Sequence, residues 1–438
     1  MTGTIRSISL CEWDTLSPAT CDKLKGFFLD GSSSVRNTLE QISDRNLLSV
    51  KELRHGLEIQ AFSYVGRVRI GDLNVSVLPK IRGNSLLRLI RYAYGCSRFN
   101  FVSEANHRVD YLGFEDLLIS QLNTEIRDLI RRGLLKTYIP QREMLASPRG
   151  RIDVNQIALD GGLDSAAIPC IHHPRTTDTL LNRVLLGGLK VAASMASEIE
   201  LRRESRQLAS MMQEQVSALP LDSSVLTLAM RQMNRLTTAY DSALTIIELL
   251  IESQGISLQG KMTRYQLPGF LFDMNTFFQA LLSRFLRENL EGFTVRDEYS
   301  LKNMLKYNSE YNPQQSQPPT PRADYVIEQS GVVRAILDAK YRDLWRNALP
   351  REMLYQLVIY AISHAKTPKS AILYPSTDSN AREARIDVAD VQYGKHIGQV
   401  CTRPVYLPGL LEAISDRSFM GRSVRKKLAL KLAFGTNP

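Results

Sequence analysis

Apolar and polar positions alternate over short distances early in the chain and again in its last third. Residues 57–81 alternate in this way and are interrupted at Gly66 and Gly71, which predicts a small antiparallel β unit with tight turns. The apolar residues of 86–95 and 114–135 recur instead at helical spacing. We therefore predict an α+β region in the first part of the chain.

Helical spacing continues through the middle of the chain. Residues 178–218 and 224–254 each have apolar residues three and four positions apart, without the strict alternation of a strand. These two segments predict a helical region that connects the two ends of the chain.

The last third combines both periods. A polar insertion at 307–322, with four prolines and three glutamines, cannot build a packed core of its own. Around it the pattern predicts a helix at 274–290, strands at 293–301, 323–328 and 332–342, a helix at 351–365, and strands at 370–376 and 385–391. This order is typical of an α/β domain built around a mixed sheet.

The predicted organisation has three parts. An N-terminal α+β domain spans 1–170, a helical connecting region spans 171–262, and a C-terminal α/β domain spans 263–438. A chain of 438 residues is long enough for two or three domains.

Composition excludes several classes of protein. With 44% hydrophobic and 23% charged residues, the chain is neither disordered nor fibrous. The N-terminus lacks the basic-then-apolar order of a signal peptide, and charged residues interrupt the longest helical stretches, so we expect a cytoplasmic protein. The five cysteines are scattered, and Cys170-Ile-His172-His173 lacks a second ligand pair, which disfavours a zinc site.

The charge makes nucleic acid a candidate partner. The chain has 39 Arg and 16 Lys and a formal net charge of +10. The planar guanidinium group suits bidentate contacts to phosphate. Many globular proteins reach this charge without binding nucleic acid, so the charge alone favours neither alternative.

The strand at 332–342 carries the most specific chemistry. Alternation places Asp338 and Lys340 on one face of this strand, and Asp324 of the preceding strand can reach Asp338 when the two strands pair. Two carboxylates at a sheet edge form a hard-oxygen site for Mg²⁺, which can bind a scissile phosphate. A neighbouring lysine can orient the attacking water and offset phosphate charge.

The alternative is a solvated strand face with an ion pair. Against it, Lys340 is the only lysine of the sequence with an acid two positions before it. The helix that follows also carries Gln356 and Tyr360 four residues apart, so that both share one face. Over the sheet edge, they would supply an amide and a phenol near the substrate.

These residues resemble the PD-(D/E)xK nuclease superfamily. The resemblance implies a restriction endonuclease-like α/β fold, with Asp324 and Asp338 as metal ligands for Mg²⁺ and Lys340 as the catalytic lysine. It also implies that Gln356 and Tyr360 form the auxiliary Q-x-x-x-Y helix motif. Many such nucleases have a glutamate on the preceding helix, where this chain has Gln279, which removes one charge from the site.

Further segments resemble the McrC family, in order along residues 57–376. They are Tyr64-Val-Gly66 to Val77-Leu-Pro79-Lys80-Ile81, Arg132-Gly133-Leu134 with Tyr138, Pro148-Arg-Gly-Arg-Ile-Asp153, Asp178-Thr-Leu-Leu-Asn182-Arg183 and Phe272-Asp-Met-Asn275. McrC proteins are nuclease subunits of modification-dependent or LlaJI-type restriction systems. The resemblance implies a McrB-like AAA+ GTPase hexamer as partner, stimulated by the N-terminal part of this chain, and double-stranded DNA as substrate.

The chain itself is not expected to bind a nucleotide. Residues 255–261 match the first seven positions of a P-loop, but Met262 replaces the Ser or Thr whose hydroxyl binds Mg²⁺. The segment also follows a predicted helix, whereas a P-loop follows a strand.

Three functions remain as hypotheses. The favoured one is an endodeoxyribonuclease subunit of a GTP-dependent restriction system, which also stimulates its partner GTPase. The second is a non-catalytic adaptor that activates an AAA+ motor, and Gln279 is the residue that favours it. The third is a stand-alone DNA-repair nuclease. An AAA+ GTPase gene next to this one would favour the first.

Overall fold

The computed structural model describes residues 5–81, 83–95, 113–160, 162, 166–253, 269–302, 304–363 and 369–435. Within these ranges, no helix combines the length and the apolar character needed to cross a membrane. The contacts between residues divide the chain into two compact units: Met1–Ser97 together with Leu271–Pro438, and Arg98–Phe270.

Strands and helices are numbered in chain order. The strands are β1 (Arg6–Cys11), β2 (Thr15–Leu16), β3 (Leu48–Leu53), β4 (Gly56–Ala61), β5 (Tyr64–Ile70), β6 (Leu73–Leu78), β7 (Thr137–Tyr138), β8 (Gln141–Leu145), β9 (Arg151–Ile152), β10 (Ile168–His172), β11 (Arg175–Thr176), β12 (Gly269–Asp273), β13 (Thr294–Ser300), β14 (Arg322–Gln329), β15 (Val332–Ala339), β16 (Lys369–Ser376), β17 (Ala384–Ala389) and β18 (His396–Tyr406). The helices are α1 (Ser33–Asp44), α2 (Gly83–Tyr94), α3 (Phe114–Arg132), α4 (Val154–Leu159), α5 (Leu180–Met195), α6 (Ile199–Gln213), α7 (Ser223–Arg231), α8 (Asp241–Ser253), α9 (Met274–Asn289), α10 (Arg351–Ile362), α11 (Leu407–Ser415) and α12 (Phe419–Phe434).

The discontinuous unit contains the large sheet. Its strand order is β13-β14-β15-β16-β18-β17, with β15, β16 and β18 parallel and the others antiparallel to their neighbours. Helix α10 packs on one face, where Ile336, Ile372 and Val400 form an apolar core with Leu357 and Tyr360 of the helix. The predicted mixed α/β architecture is thereby confirmed.

The N-terminal strands belong to the same compact unit. Strand β1 pairs in parallel with β6, which pairs with β5, while β2, β4 and β3 form a separate small sheet. Of the antiparallel β unit predicted for 57–81, the pair of β5 and β6 is therefore present, whereas β4 pairs with β2 and β3 in the separate sheet. The grouping of these strands with Leu271–Pro438 differs from the predicted division at residues 170 and 262.

The continuous unit is not purely helical. Helices α3, α5, α6, α7 and α8 are accompanied by two small sheets, β8-β10-β9 and β11-β7. The helix predicted for 178–218 consists of α5 and α6, and the one predicted for 224–254 consists of α7 and α8. Periodicity alone missed these breaks because the residues around each of them keep a helical apolar spacing.

Residues of the Asp178–Arg183 motif connect parts of the continuous unit. The Arg183 guanidinium donates two hydrogen bonds of 2.7 Å to the Asp178 carboxylate. Asn182, which is fully buried, donates to the carbonyl of Leu135 and accepts from the Tyr240 hydroxyl. This part of the motif stabilises the fold, since each buried polar group has its partner.

Close packing of α5 against α8 gives a test of this core. A Cβ atom on Gly188 would lie 2.4 Å from Cδ1 of the buried Ile247. Gly188→Val therefore overfills the contact, and we expect it to lower the free energy of unfolding by about 1–3 kcal/mol. The measurement is urea denaturation, with Lys190→Ala, on the exposed side of α5, as the control that changes it little. Equal stability of the two variants would contradict this packing.

Candidate active site

Two antiparallel strands bring the predicted acids together. Strands β14 and β15 are joined by a turn at Ser330 and Gly331, both with positive φ, and Tyr325 pairs with Leu337. One step further along this register, Asp324 and Asp338 stand opposite each other. Because successive side chains alternate between the faces, both carboxylates lie on one face of the sheet.

The lysine completes a compact group. The Lys340 ammonium lies 3.1 Å from Oδ2 of Asp338 and 3.8 Å from Oδ2 of Asp324. The same Asp324 oxygen accepts a 2.7 Å hydrogen bond from the backbone N–H of Ala339. The structure thus brings Asp324, Asp338 and Lys340 together as the sequence predicts.

Burial makes this group electrostatically unusual. Asp338 is 2% exposed, and its Oδ1 has no hydrogen-bond partner among the described residues. Burial, and next the nearby Asp324 carboxylate, raise the pKa of Asp338 to about 7, against the opposing effect of Lys340. Burial alone would lower the pKa of Lys340, but the two carboxylates outweigh it and raise that pKa.

Gln279 lies beside Asp324 on helix α9. Its side-chain amide donates a 3.1 Å hydrogen bond to Oδ2 of Asp324, and its backbone carbonyl accepts a 2.7 Å bond from the Tyr325 hydroxyl. The predicted neutral residue therefore orients an acid of the group from the neighbouring helix, and it adds no third negative charge.

Gln356 and Tyr360 lie on one face of α10, as their spacing predicts. The Gln356 amide donates a 2.6 Å hydrogen bond to the Tyr360 hydroxyl, which itself donates to the backbone carbonyl of Arg322. Tyr360 is 1% exposed. The pair thus holds the start of β14 against the helix, and through β14 it supports Asp324.

The donor set suits a hard divalent cation. Mg²⁺ commonly takes one or two carboxylates and keeps several waters, so Asp324 and Asp338 suffice as protein ligands. The unpartnered Oδ1 of buried Asp338 is a further sign of fit, since a buried carboxylate oxygen without a partner is costly. Over the described ranges, no set of three or more His, Cys, Asp and Glu residues is placed to hold a metal.

Sequence reasoning missed two residues that support the site. The side-chain oxygen of Asn275, Oδ1, accepts a hydrogen bond from the backbone N–H of Tyr341, the residue after Lys340, and the side-chain NH₂ of Asn275 donates to the Ser63 hydroxyl. Asn275 stands in the Phe272–Asn275 motif, so the sequence held a signal for it. Ser63 carries no such signal, since it lies 212 residues away along the chain.

Two other candidate motifs have different outcomes. His172 lies 3.2 Å from a carboxylate oxygen of Glu143, and Cys170 is buried in β10. His172 thus has a partner within the same small sheet. The P-loop-like segment 255–261 lies outside the described residues.

Solved structures include chains similar to this one. The chain superposes on a chain of the half-complex from a tetradecameric assembly of Thermococcus gammatolerans McrB AAA+ hexamers with bound McrC. The TM-score is 0.62 at 16% identity, with 97% of this chain and 99% of that chain covered. A chain of the Thermococcus gammatolerans McrBC complex matches with a TM-score of 0.45 at 16% identity, over 69% of this chain and 89% of that one. No match was found among curated proteins.

The first superposition extends over nearly the whole of both chains and shows a common fold. A family model described as McrBC 5-methylcytosine restriction system component matches residues 59–375. Since this range is well over half of the chain, the protein belongs to the McrBC family, which confirms the family predicted from the sequence motifs.

Proposed function

We propose that this protein is the DNA endonuclease subunit of a GTP-dependent, McrBC-like restriction system. The observation that carries the proposal is the group of buried Asp338 with the partly buried Asp324 and Lys340, in which one Asp338 oxygen has no partner among the described residues. In this proposal the large sheet is a PD-(D/E)xK nuclease core and the reaction is Mg²⁺-dependent hydrolysis of a phosphodiester. Family membership supports the restriction system as its setting.

Each residue of the group has a role in this reaction. Bound Mg²⁺ would supply Lewis-acid chemistry and lower the pKa of water. Asp324 and Asp338 would hold the ion, with Asp324 oriented by the Ala339 N–H and the Gln279 amide. Lys340 stays charged between the two carboxylates, where it can hold a phosphate oxygen and orient the attacking water.

A McrB-like AAA+ GTPase hexamer is the proposed partner. The superposed chain comes from an assembly of McrB AAA+ hexamers with bound McrC, and it matches this chain from end to end. We propose that residues 1–170 dock on such a hexamer and stimulate its GTPase, that 171–262 connect the parts, and that 263–438 cut double-stranded DNA. Together with the candidate site, the net charge of +10 is consistent with DNA as the substrate.

Asp338→Ala separates the two proposed activities. We expect DNA cleavage with Mg²⁺, GTP and the partner to fall by about 10² or more, the usual scale for removing one electrostatic group from an active site. Stimulation of the partner GTPase should stay at the wild-type level, because Asp338 is buried at the end of β15. The measurements are plasmid cleavage and GTP hydrolysis in the same mixture.

Asp387→Ala is the matched control for that variant. This acid lies on β17 of the same sheet, with its side chain 66% exposed, and its loss should leave both activities unchanged. Wild-type cleavage by Asp338→Ala would refute the site. A wild-type protein that stimulates the GTPase but cuts neither methylated nor unmethylated DNA would favour the adaptor function.

Gln279→Glu tests the cation site directly. A third carboxylate beside Asp324 adds a negative charge that a divalent cation offsets, so we expect about tenfold tighter Mg²⁺ or Mn²⁺ binding by calorimetry. Gln279→Met has a similar size but no oxygen, and should bind no more tightly than the wild type. Unchanged affinity in Gln279→Glu would show that the cation does not bind at Asp324.

A further inference from the structure

A second buried acid lies next to the candidate active site. Glu12 directly follows β1 and is completely buried. Its Oε1 accepts a 2.8 Å hydrogen bond from the backbone N–H of Lys80 and a 2.9 Å bond from the Tyr341 hydroxyl. Its Oε2 has no hydrogen-bond partner among the described residues. This carboxyl therefore joins the ends of β1 and β6 to the residue that follows Lys340.

The next residue, Trp13, makes a second contact to Tyr341. The Trp13 indole N–H donates a 2.8 Å hydrogen bond to the backbone carbonyl of Tyr341, and the Arg342 guanidinium lies over the indole at 5.3 Å. Trp13 has a φ of 66°, in the left-handed region that non-glycine residues rarely adopt. Such backbone strain is unfavourable and tends to cluster at functional sites.

Tyr341 is consequently held at every polar group. Its hydroxyl contacts Glu12, its carbonyl contacts Trp13, and its N–H contacts Asn275. Its ring packs edge-on against Phe278 of α9 at 5.7 Å. Within the described residues, the backbone of the preceding Lys340 has one hydrogen bond to β16, from its N–H to the carbonyl of Leu373. Since β15 ends at Ala339, the contacts of Tyr341 decide where the backbone of Lys340 lies.

Fold stability does not explain why an acid stands at position 12. Burial raises the pKa of Glu12 to about 7. The hydrogen bonds from Lys80 and Tyr341 and the charge of Lys80 lower this pKa, but less than burial raises it, and the nearby Asp14 raises it further. A buried acid with an unpartnered oxygen is costly, and an apolar residue of similar size avoids that cost. Natural proteins keep such costly buried polar groups mainly at functional sites.

We infer that Glu12 and Trp13 are positioning residues of the active site, which hold Tyr341 and thereby keep Lys340 against Asp338. We call Glu12, Trp13 and Tyr341 the Tyr341 clamp. The inference rests on the proposed nuclease function. It links the two residues that directly follow β1 to the active site, so that a change in the position of Glu12 or Trp13 moves the lysine.

Single-turnover cleavage with the partner, GTP and Mg²⁺ tests the clamp. Glu12→Ala should lower the rate about tenfold and Trp13→Phe, which loses only the indole N–H, about threefold, the scale of one or two lost positioning contacts. Glu12→Gln keeps an acceptor for Lys80 and Tyr341 and should restore the rate. DNA affinity, measured with Ca²⁺ in place of Mg²⁺, should not change. A wild-type rate in both Glu12→Ala and Trp13→Phe would overturn the inference.

Ile8→Ala controls for general loss of stability. Ile8 is buried on β1, four residues before Glu12. At a temperature where each protein is folded by circular dichroism, this variant should cleave at the wild-type rate. If Ile8→Ala, matched in melting temperature, loses as much activity as Glu12→Ala, the positioning role is refuted.

Hydrogen exchange tests independently of cleavage whether Glu12 holds the backbone at Lys340 and Tyr341. The amides of Lys340 and Tyr341 are bonded to Leu373 and Asn275, and in Glu12→Ala their exchange should be about tenfold faster, while amides in the middle of β16 keep their rates. Unchanged exchange at Lys340 and Tyr341 would overturn the clamp. Wild-type protein that fails to cut DNA would instead refute the proposed function, and the exchange experiment would still test the clamp.

Discussion

The buried carboxyl group of Asp338 is the constraint on which the arrangement of its neighbours depends. An ionised carboxylate taken out of water loses several kcal/mol of hydration even after the protein relaxes around it, so neighbouring groups must offset about that much. Lys340 supplies a charge at 3.1 Å, but within the described part of the chain Oδ1 of Asp338 has no hydrogen-bond partner. The second acid, Asp324, is held beside it by the Ala339 N–H and by Gln279. The site thus keeps two carboxyl groups close together at a cost that a bound cation would relieve.

The centre of this site could be predicted from the sequence because its determinants are local. A strand turns successive side chains to opposite faces, so the spacing of Asp338 and Lys340 fixes their common face without any knowledge of the rest of the fold. The same holds for Gln356 and Tyr360 on one helix face. The direction of the Tyr360 hydroxyl, towards the carbonyl of Arg322, depends instead on how α10 packs on the sheet, and spacing within the helix carries no information about it.

Residues that act across long sequence distances could not be found in this way. Glu12 is 329 residues from Tyr341, and neither residue belongs to a pattern that links the two. The break between α5 and α6 has a related cause. Residues 196–198 include no glycine or proline, and the chain turns there while Ser197 is bonded to Asp116 of α3. In both cases a tertiary contact decides the local structure, and only the folded chain shows it.

The discontinuous unit has a consequence for how the protein is made. Its first 97 residues leave the ribosome long before Leu271–Pro438, and β14, β15, β16 and β18 follow in the last third of the chain. Because a domain folds as a unit, the sheet around Asp338 cannot close until the last strands have emerged. An unfinished chain that stops before β16 therefore has neither the parallel neighbour of β15 nor the backbone contact of Lys340 to Leu373. Incomplete chains therefore lack the ordered group of Asp324, Asp338 and Lys340 on which the proposed DNA cleavage depends.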